Sequence, residues 1–349
     1  MDSSLLEIDN QTVYFKSADS MDEIPDESVT LVVTSPPYWN VKNYGSEDQI
    51  GFNQSYEEYI TSINKIWNEC IRVLQPNGKI AINVQPLPIS NDLSGFDRRI
   101  IKDIMNDIEN FFLSHDFFLS GMNYWDKASY INNVSWGSFP KPTNIATNTS
   151  FEQIYTFVKR GKTRKINSDL LEKNSLHKNE WRHWAVRCIW DDISPVIKIN
   201  SKGSNIYGHS APFPEDIPYR LIRMHTVSGE VVLDPFLGSG TTLKICRLLG
   251  RKGIGYEINS SYRDKITERI TEDWQAPFVD TGYLTLSYRQ LSQMVDIIIQ
   301  NVSFDSKKDE NHTYLKKSIY TDLEEQGFIS KAIKSKLREI TDNQEIKNY

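Results

Sequence analysis

EVVLDPFLGSGTT, Glu230 to Thr242, is the stretch on which the fold turns. A short apolar run rich in β-branched residues reaches an acidic residue, Asp234, and then a turn built on Gly238 and Gly240. An apolar period of helical spacing follows over residues 241–249 and stops at Gly250. KGIGY at 252–256 reads as the next strand, and residues 260–274 as a further helix. Strand, helix and strand in close succession imply parallel pairing.

Working towards the N-terminus, the same pattern occurs a second time. VTLVVT at 29–34 is a continuous apolar run, expected for a strand covered on both faces. Residues 56–74 carry apolar side chains at Tyr59, Ile63, Ile66, Trp67, Ile71 and Leu74, a helical stripe stopped by Gln75-Pro76-Asn77-Gly78 before a strand at 79–84. Both units are expected in one sheet, giving a doubly wound, mostly parallel α/β fold. Residues 1–85 and 206–276 form its core, an irregular, aromatic span at 86–205 is expected as a recognition insertion, and 277–349 as a helical C-terminal extension.

Two strand ends carry the chemistry. The glycine turn lets backbone approach a ligand and is followed by the free N–H groups of a helix start. It lacks the GxxxxGK[ST] spacing of a phosphate loop and the GxGxxG of a dinucleotide turn, so a nucleoside-like ligand is expected. Glu257, ending the next strand, suits the hydroxyls of a ribose. TSPPYW at 34–39 is a stiff turn that presents the Ser35 hydroxyl and the Pro36 carbonyl as acceptors beside the flat rings of Tyr38 and Trp39. Such a pair suits a planar ligand with an amino group, for example a base taken out of its stack.

Composition narrows the class. The 349 residues carry a formal net charge of -6, which does not favour a polyanionic partner. Between Lys159 and Lys202, however, eleven basic residues stand against five acidic ones. This run reads either as a surface facing a polyanion or as a solvated charged face. Three scattered cysteines and six histidines without ligand spacing indicate neither a disulfide framework nor a metal site. The start has no signal-like segment and no apolar run reaches membrane-spanning length, so a cytoplasmic protein without a membrane partner is expected.

Taken together, these segments resemble the amino-methylating DNA methyltransferases of the permuted β class. There, S/D-P-P-Y precedes the target-recognition region and the S-adenosylmethionine turn D-P-F-x-G-S-G-T-T follows it. SADS around Asp19, RVLQPNGKIAINV at 72–84, WGSF at 136–139, HSAPFPEDIP at 209–218 and GYEIN at 255–259 extend the likeness over residues 14–262. Ala18 departs from it, since the family commonly has glycine before the acidic residue.

The resemblance implies a Rossmann-like S-adenosylmethionine-dependent fold. Asp234, Phe236, Gly238 and Gly240 would hold the methionine and ribose side of the cofactor, with Pro235, Ser239, Thr241 and Thr242 in the same turn. Glu257 would take the ribose hydroxyls and Asp19 the adenine amine, while His209, Phe213 and Glu215 close over the methionine end. Ser35, Pro36, Pro37 and Tyr38 would be catalytic, acting on a flipped base of double-stranded DNA. Arg160, Lys162, Arg164 and Arg182 are the candidate DNA contacts.

S-P-P-Y is typical of cytosine N4 methylation and D-P-P-Y of adenine N6 methylation, so the resemblance favours cytosine N4. The adenine enzyme and a non-catalytic nucleic-acid binder of the same fold are the alternatives. C5 methylation is excluded because no cysteine follows a proline. A restriction endonuclease is the expected genetic, rather than physical, partner of a monomer or homodimer.

Overall fold

Val29–Thr34 is buried at all six positions, as a strand covered on both faces must be. It lies in the middle of a nine-stranded sheet in a computed structural model that describes residues 4–40, 49–96, 98–127, 136–137, 145–146, 149–195 and 214–274. By internal contacts the chain divides between Ala276 and Pro277, and every described residue belongs to the first unit. The expected C-terminal extension lies outside the described residues.

In chain order the sheet strands are β1 (Leu5–Ile8), β2 (Gln11–Tyr14), β3 (Val29–Thr34), β4 (Leu74–Val84), β5 (Phe117–Asp126), β6 (Phe151–Lys159), β7 (Ile189–Trp190), β8 (Val231–Asp234) and β9 (Lys252–Tyr256). Their order across the sheet is β1-β2-β9-β8-β3-β4-β6-β5-β7. The five strands from β2 to β4 run parallel. β1 and β6 pair antiparallel to their neighbours. The α/β, mostly parallel fold expected from the sequence is therefore the one observed.

Helices cover both faces. On one face, α1 (Tyr56–Val73) and α2 (Ile104–Ser114) bury Tyr59, Ile63, Trp67, Ile108 and Phe112 with Val32, Ile80 and Ile82. On the other, α3 (Asp216–His225) and α4 (Thr241–Leu248) bury Ile217, Leu221 and Ile245 with Leu31, Val33 and Val232. α5 (Arg263–Thr271) adds Ile266 and Ile270 over Val13 and Leu243. Each such side chain, fully buried, contributes about 1.5–3 kcal/mol. α1 starts at a capping box in which Ser55 Oγ accepts from Glu58 N–H and the Glu58 carboxylate from Ser55 N–H.

Several boundaries differ from the expectation. α1 runs straight into β4 at Leu74, and the supposed stop at 75–78 is a bulge inside the strand. Val29 pairs with Leu74 and Leu31 with Lys79, so the extra residues arch outward through Asn77 at φ 61. β8 starts one residue late, although Glu230 O still accepts from Lys252 N–H; the Glu230 carboxylate is taken by Arg164 and by the Val227 N–H. The helix expected over 260–274 is a 3-10 turn, Ser260–Tyr262, followed by α5. The β1–β2 hairpin was not anticipated; Asp9, at φ 52, makes its turn.

The largest correction concerns residues 86–205. β5, β6 and β7 belong to the central sheet, with Gln153 opposite Val84 and Val158 opposite Lys79. This span is not wholly an insertion. Its aromatic richness is largely packing: Trp125, Trp184 and Trp190 are buried against Ile154, Ile217 and Leu221. The indole N–H groups of Trp125 and Trp190 donate to Ile193 O and Trp184 O.

Candidate active-site cleft

β3 and β8 are adjacent and parallel, Leu31 opposite Val232 and Val32 opposite Leu233. From β3 the chain winds outward to β4, and from β8 it winds the other way to β9. Their carboxyl ends therefore flank the point where strand order reverses, the place where an open α/β sheet leaves a crevice. Thr34 Oγ1 donates to Asp234 Oδ1 at 2.6 Å, joining the two motifs across 200 residues of sequence.

Asp234 is fully buried and spent on its own chain. Besides Thr34, its Oδ1 accepts from Phe236 N–H at 3.1 Å, and its Oδ2 from Thr242 Oγ1 at 2.6 Å. Loss of solvent raises its pKa to about 6, against the pull of these donors. The resemblance gave Asp234 and Thr242 to the cofactor; the structure makes them a staple that sets the turn, because neither carboxylate oxygen is left open to the cleft. Gly240 has φ +92 and Gly238 φ +56, conformations that a side chain rarely adopts. The Leu237 N–H donates to Tyr256 O at 2.9 Å, tying the turn to β9.

Glu257 lies directly after β9 on the cleft wall. Its Oε2 accepts from Gly238 N–H at 2.9 Å and its Oε1 from Asn259 N–H at 2.8 Å. Burial lifts its pKa to about 7, and the two amides only partly offset this. A carboxylate has about four acceptor positions, so capacity for two further hydrogen bonds remains.

The SPPYW turn is held from beneath. Tyr59, fully buried on α1, donates its hydroxyl to Pro37 O at 3.0 Å. Trp39 Nε1 donates to Gln54 O at 2.9 Å, and Asn40 N–H to Gly51 O at 2.6 Å. Gly51 has φ +92, and a Cβ there would stand 3.2 Å from Tyr38 O, so a side chain would be strained and would crowd the turn. Trp39 is buried with its ring edge-on to Tyr56, and hence is a core residue rather than the second flat platform expected of it. Ser35, Pro36, Pro37 and Tyr38 line the cleft. Among the described residues, Ser35 Oγ has no hydrogen-bonding partner.

The cleft encloses about 970 Å³, open space at its mouth included. Pro235, Phe236, Gly238, Ser239, Thr241 and Glu257 join the SPPY residues on its wall. Lys16, Ser17, Gln49, Ile50, Ile66, Tyr256, Ile258 and Tyr262 also line it and were not anticipated. Lys16 and Ser17 were legible in principle, since they follow directly from the hairpin strand β2. Asp19 itself is exposed and off this wall, with its N–H bonded to Ser17 Oγ at 3.3 Å. The donor set fits S-adenosyl-L-methionine. Glu257 offers acceptors for a diol, and Phe236, Leu237 and Ile258 offer apolar walls for a flat ring.

His209 and Phe213 lie outside the described residues. Glu215 is committed elsewhere: its Oε1 stands 2.8 Å from Arg269 and 3.2 Å from Lys244, both 2% exposed. Two buried cations need acceptors, and Glu215 shares that task with Glu272, which stands 2.8 Å from Lys244 and 3.0 Å from Arg269.

The basic candidates are not brought to the cleft. β6 runs antiparallel to β4, so its end at Lys159 lies where β4 begins, at the edge opposite Ser35. There Arg160 pairs with Asp116 at 2.6 Å. Arg164 forks onto Glu230 at 2.5 and 2.9 Å and also donates to His225 O at 2.9 Å. Lys162 is exposed between them, and Arg182 is exposed in the turn Arg182–Val186 ahead of β7.

Known proteins resemble this chain. A family model described as DNA methylase, of the N6 and N4 type, matches residues 29–269. The Type II methyltransferase M.MjaI of Methanocaldococcus jannaschii is 33% identical over 308 residues, spanning 78% of this chain and 97% of the relative. M.MthZI of Methanothermobacter thermautotrophicus, also a Type II methyltransferase, is 30% identical over 280 residues, with 74% and 76% covered. The solved structure of a DNA modification methylase from Thermus thermophilus, TTHA0409, complexed with S-adenosyl-L-methionine, matches with a TM-score of 0.58 and 29% identity over 74% of this chain and 92% of that one.

Proposed function

Since the chain belongs to the DNA methylase family of the N6 and N4 type, we propose that it methylates the N4 amine of a flipped cytosine in double-stranded DNA, as the modification partner of a restriction endonuclease. S-adenosyl-L-methionine, its cofactor, supplies an electrophilic methyl group when bound. The observation that carries the reading is the Thr34–Asp234 bond, which sets beside the glycine turn a Ser35 hydroxyl with no partner among the described residues.

The exocyclic amine of cytosine is a weak nucleophile because its lone pair is delocalised into the ring. Ser35 Oγ and the Pro36 carbonyl accept the two amine hydrogens and favour a tetrahedral nitrogen. They act most strongly as that nitrogen becomes positive, which is differential stabilisation of the transition state. Tyr38 stacks on the base, a contact of about 1–3 kcal/mol. The Tyr59 hydroxyl on Pro37 O and the Asn40 N–H on Gly51 O brace the turn, so the acceptors need little reorganisation at the moment of reaction. Glu257 would hold the ribose hydroxyls, and Phe236, backed edge-on by Trp67 at 5.8 Å, would flank the adenine.

Cysteine chemistry at C5 finds no support in the described residues. No cysteine lines the cleft: Cys188 is exposed away from its wall, and burial pushes the Cys70 and Cys246 thiols well above their ordinary range, away from the thiolate such chemistry requires. Hydrolysis of DNA from a host expressing this chain, followed by mass spectrometry of the nucleosides, tests the assignment. N4-methylcytosine is expected. N6-methyladenine alone would transfer the reading to the adenine enzyme, and no methylated base would dismiss both.

A further inference from the structure

Among the described residues the most exposed large apolar side chain is Phe96, at 62%. It does not stand alone. Leu93 and Ile101 are half exposed on the same excursion, and Arg98 and Arg99 are exposed beside them. The excursion leaves the sheet just past the carboxyl end of β4 and returns at Asp103, ahead of α2.

Its stem is ordered. Leu87–Ile89 pairs antiparallel with Ile100–Lys102, and Leu87 and Ile89 are buried in the core below. Its tip is a short helix, Asn91–Ser94, followed by Gly95 at φ +69. Ser94 Oγ accepts from Phe96 N–H at 3.0 Å and reaches the carbonyls of Asn91, Phe96 and Arg98 within 3.1 Å. One hydroxyl thus organises the turn that holds Phe96 outward.

Contacts also fix where the stem stands. Lys102 Nζ lies 3.8 Å over the ring of Tyr56, and that ring meets Trp39 edge-on at 5.1 Å. Trp39 directly follows Tyr38 of the cleft. β4 is the neighbour of β3, and both end at this edge of the sheet. The excursion accordingly rises beside the SPPY turn, at the edge opposite Arg160 and Arg164.

An apolar tip in water is unfavourable unless it meets a surface, and its arginines select one of negative charge. A duplex presents both features, because apolar side chains enter between base steps and phosphates line each side. We propose that this excursion grips duplex DNA beside the target base, with Phe96 and Leu93 set against the base stack and Arg98 and Arg99 on the flanking phosphates. The assignment rests on the DNA-methylation reading above. Asp92, the acidic residue of the tip helix, is held by Ser90, and this keeps its carboxyl below the ordinary range.

The full chain is tested against duplex DNA of mixed sequence at several salt concentrations, with transfer of labelled methyl groups to unmethylated genomic DNA measured in parallel. The double variant Arg98→Ala/Arg99→Ala is expected to reduce the slope of log affinity against log salt by about 1.8, two phosphate contacts. Phe96→Ala is expected to lower methyl transfer about tenfold at saturating DNA. Cofactor affinity should stay unchanged in both, and Arg160→Ala, at the opposite edge, should keep the wild-type slope and rate.

An unaltered slope in the double variant together with a wild-type rate for Phe96→Ala overturns the proposal. So does a dimer that dissociates on Phe96→Ala, which would give the tip to a second copy of the chain. Failure of the wild-type chain to methylate any DNA removes the underlying reading instead, and is recognised by its independence of these variants.

Discussion

The two edges of the central sheet use their polar groups in opposite ways. At the carboxyl edge, Ser35 Oγ has no partner among the described residues and Glu257 keeps acceptor capacity towards the cleft. At the opposite edge the strong donors are consumed by their own chain. Lys159 Nζ donates to Ile71 O and Leu74 O, Arg164 forks onto Glu230, and Arg251 donates to Thr226 and Leu249 carbonyls. Both edges carry charge. What separates them is how the strand-end groups are used after folding: Ser35 and Glu257 keep capacity towards the cleft, whereas Lys159, Arg164 and Arg251 are bound to their own chain.

The sharpest way to break that contrast is Ser35→Ala. Removing an acceptor that acts in the transition state should lower turnover by about 10²–10³-fold. Cofactor affinity, followed by calorimetry, should not move. A rate within twofold of wild type would take Ser35 out of the chemistry and leave the cleft edge no more active than the far one.

Glu257→Gln comes next. Loss of a charged acceptor for a diol should weaken cofactor binding by about 2 kcal/mol, some thirtyfold. The pH dependence sharpens this expectation. Folding raises the Glu257 pKa from its ordinary 4.5 to about 7, and that of Asp234 from 3.8 to about 6. Between those limits the folded chain holds protons that the unfolded chain has released, so stability of the ligand-free protein falls as pH rises from about 4 to about 7. Cofactor affinity moves the other way through about pH 7, since the diol needs the carboxylate. In Glu257→Gln that rise in affinity should be absent, and its persistence would place the titrating group elsewhere.

Smaller effects belong to the far edge. Arg164→Ala breaks a largely buried fork and should cost about 1.5–3 kcal/mol in chemical denaturation, with the salt slope for DNA unchanged. A reduced slope would return that edge to the DNA interface. Arg160→Ala, an exposed pair, should alter stability by less than about 1 kcal/mol.

The legible parts of this molecule were local. VTLVVT and KGIGY became strands with the expected bounds, because a buried strand is a short apolar run whatever surrounds it. The two turns were recognisable because Pro, Gly and a strand-end acid are read over a few residues. Other features depend on distant partners. The 75–78 bulge exists because Val29 and Leu31 set the register of β4. Trp39 fell into the core because Gln54 and Tyr56 are there to receive it. Glu215 was drawn from the cofactor by Lys244 and Arg269, and nothing in the adjacent sequence announces either cation.

By itself, then, the sequence determined which chemical groups stand at the strand ends: an S-P-P-Y turn, a glycine turn and the acid of GYEIN. Backbone preference and hydrophobic period act within a few residues, and that suffices to place a group on a strand, a turn or a helix start. The tertiary structure decided which of those groups remain available. Asp234 and Glu257 look alike as strand-end carboxylates, yet one is fully buried against Thr34, Thr242 and the Phe236 N–H, off the cleft, while the other stands on the cleft wall with room for a ligand. A donor 200 residues away made that difference, because whether a polar group is satisfied depends on what the folded chain brings within about 3 Å of it.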